Sequence, residues 1–182
     1  MNIFATNIRP IIAAKQLCGK LVVKMPTESI QLLAFAFPEG ETSIKNGRKN
    51  SHFRHPAAIW ARQSLENFEW LLTHGMAQCE EYSRRYKRRH KAEDFIDWAA
   101  KNYQHLKFTD TKLTPFARCF GPFKSELDAN EPDTIKAYCR YIYCDKKDFA
   151  RWPSKKEIPE WWPEISEKYI DKSFVDGVYS KR

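Results

Sequence analysis

The sequence predicts a mainly α-helical fold: a compact single-domain bundle with long irregular loops and a short N-terminal extended segment or strand, spanning residues 1–182. Three observations carry this expectation. Apolar residues recur at helical spacing through most of the chain, and proline or a capping residue stands at several of the helix starts so implied. No repeat, low-complexity block or linker divides the chain, and 42% hydrophobic with 14% aromatic residues is enough to fill one core.

Met1-Asn-Ile-Phe-Ala-Thr6 is mainly apolar and suits a buried extended segment or a strand. Pro10 fits the first turn of a helix through Ile11, Ile12, Ala13, Ala14 and Leu17, which Gly19 is expected to end. Lys20 to Leu33 follows with a clear helical period: Val22, Met25, Ser29, Ile30, Leu32, Leu33 and Ala36 share one face, and Lys20, Lys24, Glu28 and Gln31 share the other. Pro26 breaks helix interiors, so this helix is expected to start near Met25 or to kink there. The polar edge reads either as an ordinary wet surface with a Lys24–Glu28 pair or as a line of chemically capable groups.

Residues 38–53 change to turn formers and cations and are expected to be a mobile basic loop, with Lys45, Arg48 and Lys49 free for phosphate or simply solvated. Pro56 then opens a helix with His55 extended at its mouth, where free N–H groups attract anions, and with Trp60 and Arg62 following. Ser64 reads as the N-cap of a longer helix whose stripe of Phe68, Leu71, Leu72, Met76, Cys79, Tyr82 and Tyr86 should form the main core. Its end carries Arg84, Arg85, Arg88 and Arg89 among further cations, more than a helix dipole needs, and resembles a nucleic-acid footprint. His90 falls on the apolar side of the same wheel.

A shorter helix over Ala92 to about Lys101 bears Phe95, Ile96 and Trp98. Leu106 to Pro132 reads as an aromatic loop region of low regular structure, whose rings either stack on an unpaired base or, more commonly, lie buried. Pro132 opens a last helix with Ile135, Tyr138, Cys139 and Ile142 on its apolar side. The C-terminal tryptophans are expected to pack back on the helices, leaving about the last ten residues loosely held.

The 31 Lys+Arg against 23 Asp+Glu give +8, a field that favours polyanions such as double-stranded DNA. No run approaches the roughly 18 apolar residues of a membrane span and no signal peptide leads the chain, so a cytoplasmic protein that binds no membrane is expected. Five widely spread cysteines without a C-x-x-C pair predict reduced thiols and no bound metal. Glycine-rich phosphate loops and the zinc-protease and esterase motifs are absent, and no cofactor is expected. What remains is an amine and a carboxylate on one helix edge. That pair is what imine-forming glycosylase/lyase chemistry on DNA needs: the amine attacks the sugar's anomeric carbon and the carboxylate stabilises charge and moves protons.

The order Lys24-x-x-x-Glu28-x-x-Gln31, a basic loop, His55-Pro56 with Trp60, then Glu81-Tyr82, Arg85-Tyr86 and His90 resembles the pyrimidine-dimer DNA glycosylases of phages and bacteria. Asn2-Ile-Phe4, Val22-Val-Lys-Met25, Thr114-Pro-Phe116 and Trp161-Trp162 are similar to segments of its phage branch, so the likeness spans most of residues 1–162. The resemblance implies a helical, metal-independent DNA-repair enzyme of the bacterial or phage-infected cell that cleaves a damaged pyrimidine's glycosidic bond and nicks the strand by β-elimination. It also implies an α-amine nucleophile, with Glu28 as the catalytic glutamate. Two departures stand out. Asn2 is large enough to keep Met1 in place, which gives the α-amine to Met1, with Lys24 as the rival amine. The Asp-Lys-His and Asn of the pattern read Gly19-Lys-Leu21 and Arg54 here. Lys20, Gln31, Arg48, Lys49, His55, Arg62, Arg84, Arg85, Arg88, Arg89 and His90 are the expected DNA contacts, and a monomer is expected. The alternatives are a phage base-modifying transferase on the same scaffold and a non-catalytic DNA binder.

Overall fold

The computed structural model describes residues 1–162 and Ile165, so the expectation for the last ten residues lies outside the described part. Its helices are α1 (Pro10–Lys15), α2 (Gly19–Ala34), α3 (Pro56–Gln63), α4 (Leu65–Tyr86), α5 (Ala92–Asn102), α6 (Lys124–Asn130) and α7 (Thr134–Lys146). Among the described residues no strand forms, and a single bridge joins Ser64 to Asp110. The expected mainly α fold is the one observed.

α4 is the central post, packed by α1, α2, α3 and α5. Ser64 caps it as expected, its hydroxyl accepting from Asn67 N–H at 3.1 Å, and Lys87 ends it in the left-handed conformation at φ +55°. Its buried side carries Phe68, Leu71, Leu72 and Cys79, but also the polar Asn67, His74, Gln78 and Glu81. Gly75 lets α2 and α5 close on this post, because a Cβ there would lie 3.3 Å from the Ser29 Cβ and 3.2 Å from the Ile96 Cδ1. The packing brings the Ser29 hydroxyl within 2.9 Å of the Gln78 side-chain oxygen, to which it donates.

α2 departs from expectation at its start. It begins at Gly19, whose N–H donates to Arg151 O at 2.8 Å, so this glycine opens the second helix instead of ending the first, and Pro26 lies inside it. Burial of Val22 and Met25 before the proline and of Leu32 and Leu33 after it outweighs its local penalty. Proline also disturbs the preceding turn, and there the Val23 carbonyl has an outside partner: His90 Nε2 stands 3.2 Å away. His90 Nδ1 accepts from Ala92 N–H at 3.1 Å, which leaves the proton on Nε2 to donate to Val23. His90 therefore lies beyond α4, in the turn before α5, with its ring edge-on to Tyr82, and ties α5 to the proline turn of α2.

The segment from Asn2 to Thr6 is buried and irregular, turning at Phe4, and pairs with no strand among the described residues. Phe4 takes φ +41°, a strained value for a phenylalanine, held in place by Asn2 Oδ1, which accepts from the N–H groups of Ile3 (2.8 Å) and Phe4 (3.0 Å). The basic loop is anchored, contrary to a mobile reading: Asn46, 4% exposed, donates through Nδ2 to the carbonyls of Ala34, Phe37 and Pro38. In the 106–132 region Phe116, Phe120 and Phe123 are buried, not offered to solvent, and α6 forms where only loop was expected. Trp152 and Trp162 pack together at 4.8 Å, and Trp152 Nε1 donates to Gln16 O at 3.1 Å.

Candidate active site

Helical geometry puts Lys24, Glu28 and Gln31 on one narrow stripe of α2, which Phe35, the residue capping its C-terminus, continues, since offsets of four and seven residues return to nearly the same direction. The sequence left the edge of Lys20, Lys24, Glu28 and Gln31 open between an ordinary wet surface and a line of chemically capable groups. Lys24 and Gln31 are exposed, but Glu28 is only 8% exposed, because the N-terminal segment is laid across it. Its two oxygens are divided: Oε2 accepts from the Asn2 backbone N–H at 2.8 Å, and Oε1 pairs with Lys24 Nζ at 2.9 Å. The lysine side chain is 70% exposed, so one arm of this carboxylate is fixed inside the protein while the other meets a group that faces solvent.

Asn2 is the clamp that makes this possible. Besides shaping the turn at Phe4, its Nδ2 donates to Cys119 O at 2.5 Å, tying the start of the chain to the segment before α6. Behind it Phe4 stacks on Tyr141 of α7, ring centroids 5.8 Å apart and planes within 14°. Burial pushes the Tyr141 phenol well above its ordinary pKa, with the charges of Asp145 and Glu28 adding to the shift. Gly121 faces that phenol at φ +52°, where any side chain would be strained and its Cβ would stand 3.5 Å from the Tyr141 oxygen. A neutral phenol thus lies within electrostatic reach of Glu28.

His55 closes another side. It caps α3, with Nδ1 accepting from Ala57 N–H at 3.2 Å, so a neutral ring carries its proton on Nε2. Its pKa is lowered, first by burial, then by the positive charges of the chain's N-terminal amine and His52, against an opposing pull from Glu28. The N-terminal amine, Glu28 and His55 therefore share one electrostatic neighbourhood. Met1, whose α-amine this is, packs partly buried against the core.

No family model, curated protein or solved structure matches the chain.

The remaining expected contacts scatter. Lys20 is exposed, with its ammonium 4.4 Å from the Phe149 ring centre. Arg48 and Lys49 are exposed on the anchored loop. Arg62 lies over the Phe53 ring at 4.0 Å and donates to Phe53 O at 2.7 Å, so it fixes the segment that carries His55 instead of reaching outward. Arg84 and Arg85 are paired to Glu81 at 3.0 and 2.9 Å, and the Arg85 side chain is only 4% exposed, its other N–H groups spent on the carbonyls of Leu17 and Lys15. Arg89 pairs with Glu93, Asp94 and Asp97. Of the four arginines at this end of α4 and just beyond, Arg88 alone is exposed without a partner among the described residues.

The convergence of Asn2 and Tyr141 on Glu28 went unread in sequence. An asparagine that accepts from the next two N–H groups is a known turn device, and that is the signal Asn2 offered. Tyr141 gave none, because its place depends on how α7 packs. The five cysteines are buried and free, and burial pushes Cys79 and Cys139 up to about 12, which leaves no thiolate to act as a nucleophile there. Among the described residues no group of three His, Cys, Asp or Glu side chains could hold a metal ion, and no helix is long and apolar enough to cross a membrane.

Proposed function

We propose that the chain is a DNA glycosylase/abasic-site lyase that works through an amine and Glu28. One observation carries the reading: a buried glutamate is held by the first peptide N–H of the chain and by Lys24, within electrostatic reach of His55, whose pKa the N-terminal amine also lowers. A carboxylate tied inside the protein through one oxygen and open to a solvent-facing lysine through the other can serve an amine that attacks a sugar.

In the proposed reaction the amine adds to C1′ of the sugar and the base departs with its bonding electrons, taking up a proton. The ring-opened adduct is an imine between the amine and C1′. Glu28 removes a proton from C2′, the electrons form the C2′–C3′ double bond, and the 3′ phosphate leaves, so the strand is cut. Water then hydrolyses the imine and frees the amine. The neutral His55, with its proton on Nε2, suits a hydrogen-bond donor to a phosphate or sugar oxygen near the site.

Double-stranded DNA as the partner rests on the net charge of +8 and on exposed cations: Lys24 at Glu28, Arg54 next to His55 in sequence, and Arg48 and Lys49 on the anchored loop. The cluster around Arg84, Arg85 and Arg89 contributes less than its composition suggests, since those charges are met by carboxylates.

Borohydride reduction with abasic duplex DNA tests the reading directly. A reduced, covalent protein–DNA adduct is expected, and its peptide distinguishes the α-amine from Lys24. Salt-sensitive DNA binding without any adduct would favour the non-catalytic DNA binder.

A further inference from the structure

At the C-terminal end of α2, where Phe35 caps the helix seven residues beyond Glu28, a cavity of about 480 Å³ opens between Phe35, Phe37, Phe53, Arg48, His105 and Lys107. We infer that it is a subsite for a single nucleotide of the DNA strand whose sugar meets Glu28. The inference rests on the DNA-directed reading above, but concerns a different part of the surface.

Two separate connections place this cavity beside the site. Along α2, seven residues correspond to about 10 Å of rise, and Glu28 and Phe35 point nearly the same way. Along the chain, Phe53 in the cavity wall is two residues from His55 at the candidate active site. At about 3.4 Å of rise per stacked nucleotide, 10 Å is two or three nucleotides, so one strand can reach both places.

The chemistry of the lining is selective. Phe35 and Phe53 meet edge to face with ring centres 5.7 Å apart, which gives an aromatic wall for a planar base. Arg48 and Lys107 are exposed and have no partner among the described residues, so two cations stand ready for a phosphate at the rim. Glu39 also lines the cavity, which disfavours a bare anion and offers an acceptor to a base amino group.

The walls are also fixed before any ligand arrives. Asn46 pins the loop that carries Arg48 through three carbonyls, and Arg62 holds Phe53 by both ring and carbonyl. A preformed pocket of this size suits one nucleotide and costs little ordering on binding.

Calorimetric titration of the full chain with deoxynucleoside 5′-monophosphates, the matching nucleosides and inorganic phosphate tests this. The monophosphate should bind more tightly than either fragment. Arg48→Gln and Lys107→Gln, both at exposed positions, should each weaken it by about fivefold, as expected for one lost charge-assisted contact. No monophosphate binding at millimolar concentration, phosphate binding equal to that of the nucleotide, or affinity indifferent to both cation substitutions would each overturn the subsite. Imine trapping on abasic duplex, run on the same proteins, separates the two ideas. Trapping without nucleotide binding removes the subsite alone, and nucleotide binding without trapping removes the lyase reading alone.

Discussion

Glu28 and Glu81 are both glutamates buried in helices, 8% and 5% exposed, yet they are treated in opposite ways. Glu81 faces two guanidiniums: Arg84 reaches it with two N–H groups at 3.2 and 3.0 Å, and Arg85 adds a third at 2.9 Å. Arg85 in turn ties the cluster to α1 through the carbonyls of Lys15 and Leu17. Arg84 is half exposed, but Arg85, 4% exposed, belongs wholly to the fold. Glu28 has a single internal donor, the Asn2 peptide N–H, and a lysine that mostly faces water. A carboxylate that is saturated from within holds a structure together, and one left half open toward solvent is available for chemistry.

The largest effect expected from this contrast is on turnover. Glu28→Gln keeps the volume and can still accept from Asn2 N–H, so stability should change by less than about 1 kcal/mol. Strand cleavage should fall by about 10²- to 10⁴-fold, the usual worth of a positioned general base, with DNA affinity nearly intact. Single-turnover kinetics on abasic duplex, alongside denaturant melts, measures both. Normal turnover in Glu28→Gln would put the two glutamates back in one class.

Glu81→Gln should show the reverse. It leaves the 4% exposed Arg85 without its carboxylate in a desolvated place, and breaking one side of a buried pair costs about 3–5 kcal/mol. Urea unfolding should register that loss, while the cleavage rate of the folded fraction stays at the wild-type level. A variant that melts like the wild type would mean that water replaces the carboxylate, and that Glu81 is no more structural than Glu28.

The same pair shows what could be read from the chain. The Ser64 cap and the His55-Pro56 helix mouth are local signals, and each appears where the sequence placed it; the apolar period of α4 holds through Cys79 but not to Tyr86, which is 40% exposed. Lys24 and Glu28 at i,i+4 were equally legible as neighbours. The burial of Glu28 was not, because it depends on where residues 2–6 lie after folding, a contact 26 residues away in sequence. The arginines misled for a related reason: a run of like charges looks like a ligand surface until the acids that pair with it are located. Glu81 lies within one turn of both Arg84 and Arg85, so that pairing was available from spacing, whereas the use of Arg85 by the carbonyls of α1 and its following turn was not.

The smallest expected effect concerns which cations near the end of α4 meet DNA. If pairing with acids removes a cation from the binding surface, then Arg88 and Arg89, adjacent in sequence and both exposed, should behave differently. Arg88 has no partner among the described residues, whereas Arg89 faces Glu93, Asp94 and Asp97. Each phosphate neutralised contributes about 0.9 to the slope of log affinity against log salt on duplex DNA. Arg88→Gln should therefore flatten that slope by about 0.9 and weaken binding by about 1 kcal/mol or less, since surface pairs are worth little at moderate salt. Arg89→Gln should leave the slope unchanged, because its charge is already compensated by carboxylates that would then stand alone. Fluorescence anisotropy across a salt series on an undamaged duplex resolves the difference. Equal slopes in the two variants would show that DNA displaces the carboxylates from Arg89, so that an ion pair at this surface marks a binding residue at rest instead of one withdrawn from binding.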